Sequence, residues 1–196
     1  MDDKNMRNEP DAVPAGGGES AGPRYRAEIY DWMQSLVFTL LVCVLAFVFL
    51  ARLTDVDGDS MLPTLHDEDK LFVSNLFYTP QRGDIVIFRK DSYREEPLVK
   101  RIIAVGGETV DIDFERGIVT VDGVELREDY IAELTNRPGD FKDPVTVPEG
   151  HVFVMGDNRN KSNDSRYDVI GVVDERYILG KVYFVVLPFS SMKRVT

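Results

Sequence analysis

Residues 32–51, WMQSLVFTLLVCVLAFVFLA, constrain this chain more than any other stretch. They match the ~20 apolar residues that an α-helix needs to cross a bilayer core, with Gln34, Ser35 and Thr39 as the polar members. The apolar side chains run all round the helix and leave no polar stripe, unlike most helices that cover a soluble core. A cleaved secretion signal wants small residues one and three positions before its cut, and a cut after Ala51 would put Phe49 at the third position. The segment is therefore expected to stay in place as a transmembrane anchor over 31–53. Arg24 and Arg26 precede it and Arg52 follows it, so the positive-inside tendency leans toward a cytoplasmic N-terminus. The preceding PAGGGESAGP, rich in Gly, Pro and Ala, buries too little surface to offset the entropy of ordering. A disordered cytoplasmic tail is expected over 1–30.

From Thr54 onward the pattern changes to short runs of β-forming residues separated by turn signals. KLFVSNLF, GDIVIFRK, LVKRIIAV, ETVDIDFE, GIVTVDGVEL, HVFVMGD and GVVDERYILGKVYFVVLP read as strands. Residues 54–196 are expected to form one mainly β domain behind the anchor. Asp122-Gly123 between β-formers is a hairpin signal, and a helical turn is expected near 174–177. The order of the strands is not legible at this level. A chain of 196 residues with 43% hydrophobic content supports one such domain plus an accessory segment. Its single cysteine, Cys43, lies in the anchor and offers neither a disulfide framework nor a thiol cluster for a metal. The net charge is −11, and beyond Arg52 there are 18 Lys and Arg against 27 Asp and Glu, which argues against a nucleic-acid partner.

Chemistry concentrates first in DVDGDSMLPTL, where Ser60 stands between Gly58 and Pro63 in a loop suited to presenting one hydroxyl. Histidine is the usual base for a serine nucleophile, but neither His66 nor His151 sits in a motif that would orient an imidazole. A lysine serves instead if burial keeps its amine neutral, since an apolar site lowers a lysine pKa by as much as ~3–5 units. Lys100 lies among Leu98, Val99, Ile102 and Ile103, whereas Lys70 has acidic neighbours that would keep it protonated. On the residues alone Lys100 is the better candidate and Lys70 the weaker one, with an ordinary edge-strand lysine as the bland alternative. A third segment, MGDNRNKSNDSR, gathers Asp157, Arg159, Ser162, Asp164 and Arg166 behind an apolar run, enough for an ion-pair and hydroxyl network beside an amine. DVDGDS has the wrong residues for a calcium loop at the glycine and glutamate positions. SSMK near the C-terminus lacks the companion motifs of S-x-x-K hydrolases.

Four segments, GDSMLPTL, RGDIVIF, LVKRIIAVGGE and GDNRNKSNDSR, stand in this order behind the anchor, and together they resemble the type I signal peptidases. These are membrane-bound Ser-Lys endopeptidases that cut signal peptides from exported proteins. The resemblance covers nearly everything from residue 32 to 188 and is nearest to the Gram-positive subgroup. It implies an antiparallel-sheet catalytic domain outside the membrane, with Ser60 as nucleophile and Lys100 as general base. It further implies that Ser162 hydrogen-bonds the lysine amine, and that Asp164 with Arg166 and Asp157 with Arg101 are ion pairs supporting that loop. Val56, Met61, Leu65, Leu98 and Val99 match the lining of the family's substrate pockets, which take small residues one and three positions before the cut. Gly58 also borders the substrate site. It stands where some members, the Gram-negative type, carry a hydroxyl that helps bind the oxyanion, so the backbone N–H of Ser60 is the first candidate donor. The implied partners are preprotein signal peptides and the lipid bilayer, with no nucleic acid, no metal, no cofactor, and a monomeric enzyme. Two rivals have distinct signatures: a self-cleaving Ser-Lys protein like the SOS repressors, against which the anchor and the 156–166 loop argue, and a tethered β binding module.

Overall fold

A computed structural model describes residues 22–50 and 52–195 of the chain. Its contacts divide it into two units, 1–44 and 45–196. The first contributes most of one α-helix, α1, Gly22–Leu50, in which 28–45 is long and apolar enough to cross a membrane and is exposed throughout. The tail expected over 1–30 lies outside the described residues as far as 21, and from Gly22 the chain is helical rather than irregular. Pro23 does not prevent this start, because a helix's first turn does not need that missing N–H. The other end of the anchor also shifts. Rather than continuing to 53, the helix ends at Leu50, and Arg52–Asp55 forms a strand, β1, because its backbone is taken up by pairing with β2, Lys70–Ser74.

The second unit is built from two antiparallel sheets. The first adds β3, Ile85–Lys90; β4, Arg94–Val105; β9, His151–Met155; β10, Val173–Asp174; β11, Ile178–Leu187; and β12, Lys193–Arg194. Its order is β1-β2-β11-β3-β4-β9-β10, with β12 on β11. The smaller sheet contains β5, Thr109–Asp113; β6, Ile118–Val121; β7, Val124–Glu125; and β8, Val145–Thr146, in the order β7-β6-β5-β8. The expected hairpin at Asp122-Gly123 joins β6 to β7 with φ of 53° and 76°, the positive pair that a tight hairpin turn matched to strand twist requires. The expected turn near 174–177 is a short 3-10 helix, Glu175–Tyr177, whose Asp174 side chain accepts from the Arg176 amide.

The centre of the fold is β4. Residues 98–104 are buried without interruption, as in a strand covered on both faces. Val99 packs with Val56, Met61 and Leu65 in one core cluster, and Leu98 and Ile102 pack with Val86, Val152 and Ile170 in a second. Ile103 and Ala104 reach a third cluster with Val110 and Val119 of the small sheet, beyond a register shift against β9 between Ile102 and Ala104. Two charged residues, Lys100 and Arg101, lie in the middle of this apolar run at 2% and 1% exposure. A buried charge is tolerated only with specific partners or as its neutral form. The two residues meet that demand in opposite ways.

Candidate active site

Arg101 is met by a carboxylate. Its Nε donates to Asp157 Oδ1 at 2.9 Å and its Nη2 to Asp157 Oδ2 at 2.8 Å, a two-pronged pair with both side chains buried. Its Nη1 donates to the Gly83 carbonyl at 2.8 Å. Asp157 also accepts from the Thr64 hydroxyl at 2.5 Å, so one carboxylate ties β4 to the loop that carries Ser60.

Lys100 has no carboxylate hydrogen-bonded to its amine among the described residues. Nζ donates to Ser60 Oγ at 2.8 Å and to the Val99 carbonyl at 3.0 Å. Burial disfavours the ammonium and is the main reason that the pKa falls to about 8 from the ordinary lysine value. Asp164 pulls the other way, Arg94 adds to the lowering, and Asp157 opposes it. Lys70, the weaker candidate, makes an exposed pair with Asp55 at 2.8 Å. His66 lies beside Asp69, and His151 bonds the Glu149 carbonyl.

The Ser60 loop is held in shape from several sides. Gly58 has φ +87°, a left-handed conformation that disfavours a side chain even though a Cβ there would meet nothing within 4 Å. Its N–H donates to Asp67 Oδ1 at 2.7 Å. The Ser60 carbonyl accepts from the Asn158 amide at 3.0 Å, and Asn158 Nδ2 donates to the Asp59 carbonyl at 3.0 Å. The Ser60 amide itself donates to nothing among the described residues.

The 156–166 loop closes the site. Asp164 receives Arg166 Nε and Nη2, each at 2.8 Å, and the Gly156 amide at 3.0 Å, all buried. Gly156 has to be glycine, since a Cβ would collide with the Ser162 side chain and the Ser60 carbonyl. The hydrogen bond that the resemblance implies from Ser162 to Lys100 is not present. Ser162 Oγ is buried without a partner among the described residues, because the amine is turned toward Ser60 Oγ and the Val99 carbonyl.

Sequence reasoning passed over part of this loop's support. Arg159 is buried and donates through Nη1 and Nη2 to Glu128 at 3.0 and 2.6 Å, through Nη1 to Thr135 Oγ1 at 3.0 Å, and through Nε to the Gly156 carbonyl at 3.1 Å. Arg101 lies 3.9 Å over the Tyr130 ring. Glu128, Tyr130 and Thr135 carry no motif of their own, and only the fold brings them to the loop; Thr64 lies in GDSMLPTL, but nothing in that segment marks it as a partner of Asp157.

Ser60 and Lys100 open onto a cleft of about 210 Å³. Val56, Met61, Leu98 and Val99 line it, and Gly58 stands at its edge. Leu65, expected with them, does not line the cleft. It is fully buried against Met61 and Leu71, where the core takes its whole side chain. Arg94 and Asp57 also border the opening.

Residues 29–187 match the family described as signal peptidase, peptidase S26. The chain is similar to a signal peptidase I of Bacillus licheniformis, 34% identical over 187 residues that cover 90% of this chain and 98% of the relative. It is also similar to a probable signal peptidase I-1 of Synechocystis, 39% identical over 79% of this chain and 81% of that one. Among solved structures it is similar to a signal peptidase I from Enterococcus faecalis V583, 33% identical with a TM-score of 0.43, over 53% of this chain and 97% of that chain.

Proposed function

The chain belongs to the signal peptidase family, peptidase S26, serine endopeptidases that remove signal peptides, and we propose that it cuts with Ser60 as nucleophile and Lys100 as general base. The observation that carries this is the 2.8 Å contact from a buried lysine amine to the serine hydroxyl, with no carboxylate bonded to that amine among the described residues. Neutral Lys100 takes the proton of Ser60 as Oγ attacks the scissile carbonyl carbon. The ammonium so formed returns that proton to the leaving nitrogen, which departs as the new N-terminus of the mature protein. An ester links the signal peptide to Ser60. Lys100, neutral again, accepts a proton from water as the water oxygen attacks the ester carbonyl; the bond to Ser60 Oγ breaks, the ammonium returns the proton to that oxygen, and the signal peptide leaves with a free carboxylate. The Ser60 amide is the first donor to the oxyanion, which fits its lack of a partner among the described residues. Both members of the dyad come from one chain, so a monomer is sufficient.

Substrate specificity follows from the cleft. An extended signal peptide added beside the strands would place small residues against Val56, Met61, Leu98 and Val99, with main-chain bonds giving tolerance of varied sequence. Detergent-solubilised protein should therefore cut a preprotein with alanine one and three positions before the bond, giving one new N-terminus on sequencing. A substrate with phenylalanine immediately before the bond should give none, and equal rates for the two would sink the assignment of the pocket.

The helix 28–45 suits a membrane anchor, and we place the N-terminus in the cytoplasm and 54–196 outside, where exported chains emerge. With Cys43 replaced, a cysteine introduced at exposed Asn136 should react with an impermeant thiol reagent on intact cells stripped of their wall. Reaction only after lysis would reverse the orientation.

A further inference from the structure

The cleft beside Ser60 and Lys100 carries charge on its lips as well as an apolar lining. Asp57, Asp59, Arg94, Arg137 and Lys161 all border it. Arg94 and Asp57 answer each other at 2.8 Å, with Glu96 3.4 Å from Arg94 Nε. Asp59 belongs to the nucleophile loop, where its carbonyl accepts from Asn158 Nδ2. Lys161 and Arg137 are exposed, and neither has a carboxylate at ion-pair distance among the described residues. The only side-chain hydrogen bond of the two among those residues is from Arg137 Nη1 to the Asn160 carbonyl, at 3.3 Å. In a chain of net charge −11, a pair of cations without carboxylates on one lip of the cleft stands out. Their backbones are fixed. The Lys161 amide closes a 3-10 turn on the Asn158 carbonyl at 3.0 Å. The Arg137 carbonyl accepts from buried Arg166 Nη1 at 2.7 Å, and the Asn136 amide donates to Asn160 Oδ1 at 3.1 Å. The 136–137 segment is thus tied to the residue before Lys161.

We propose that Lys161 and Arg137 read the mature side of the substrate, favouring an aspartate or glutamate at the second residue after the cut. The inference rests on the Ser60–Lys100 reading and on the apolar lining taking the residues before the cut. That lining, Val56, Met61, Leu98 and Val99, leaves the Lys161 lip to the chain that follows the bond. The proton path agrees. Lys100 returns its proton to the leaving nitrogen, so the mature chain departs past the amine, in the cleft that Lys161 and Asn163 line from either side of Ser162. The loop holding them packs on the nucleophile loop at Gly156, where a Cβ would strike both the Ser162 side chain and the Ser60 carbonyl. Side chains alternate along an extended peptide, so the second residue after the cut faces the same way as those one and three before it. At ~3.3 Å per residue it lies about 7 Å past the bond, within the span of long cationic side chains. A carboxylate there gains two cations that no carboxylate of the enzyme holds among the described residues.

The test uses the full-length, detergent-solubilised enzyme and two preproteins with alanine one and three positions before the cut. They differ only in Asp or Asn at the second residue after it. The ratio of kcat/KM for Asp over Asn, taken within each enzyme, cancels any loss of activity common to both substrates. The wild-type ratio should be about fivefold at low salt, the size expected of exposed charge contacts. In 1 M salt, where charges are screened beyond about 3 Å, it should fall toward one. Lys161→Gln should lower the ratio to about twofold, and Lys161→Gln with Arg137→Gln should bring it to about one. Lys161→Glu should turn the preference toward Asn, whereas Lys161→Arg should keep the wild-type ratio. These side chains are exposed, so none of the changes strands a buried charge. A wild-type ratio near one, a ratio that survives the double substitution, or a preference for Asp at the first residue but not the second overturns the inference. A wild type that cuts neither substrate overturns the Ser60–Lys100 reading and this inference with it, whereas equal cleavage of both overturns the cationic lip alone.

Discussion

Lys100→Arg is expected to fold as the wild type does and to cut no preprotein, losing at least the ~10²–10⁴-fold that a positioned general base supplies. Arginine keeps the positive charge and much of the length, so a residue 100 that served only as a structural cation would tolerate the change. Arginine stays protonated in proteins and cannot take the proton of Ser60. The contrast is sharp because the wild-type amine is already tuned. With a pKa of about 8, roughly a tenth of the lysine is neutral at pH 7, against about one in three thousand for a free lysine. Circular dichroism and a cleavage assay on the purified variant check both halves of the expectation. Turnover above a few per cent of wild type would rule Lys100 out as the base.

Asp157→Ala should be the most destabilising single change at the site. It strips the two-pronged partner from Arg101, which is 2% exposed at its side chain, and the acceptor from Thr64. Removing one member of a buried ion pair typically costs ~3–5 kcal/mol, because the remaining charge stays in the interior uncompensated. Asp157→Asn, which keeps the shape and one acceptor, should cost less. Chemical denaturation followed by fluorescence measures both, and an alanine variant within 1 kcal/mol of wild type, well below that expected ~3–5 kcal/mol, would mean that the pair does not hold the base strand to the nucleophile loop.

Periodicity and composition carried the strands well. GDIVIFRK and LVKRIIAV read as strands from their runs of β-forming residues, and they became β3 and β4, whose apolar stretches are buried as in covered strands. What local pattern could not carry was pairing. β11 inserts between β2 and β3 although more than 80 residues separate it from either, and no local signal records that choice. The short strands β8 and β12 were missed because two residues have no period. The apolar flanks of Lys100 marked it as a base candidate for a sound physical reason, but the Ser60 contact depends on two segments 40 residues apart. Leu65, matched to the pocket lining by the resemblance, has its side chain in the core beside Met61, a placement that the motif around Ser60 does not record.

The most direct measurement is the pH dependence of kcat/KM for the wild-type enzyme on a preprotein with alanine before the cut. If neutral Lys100 is the base, protonation removes it as pH falls. Cleavage should then drop tenfold per unit below a single midpoint near pH 8, where burial sets the amine. A profile flat to pH 6, or a midpoint left at the ordinary lysine value, would contradict the Ser60–Lys100 dyad.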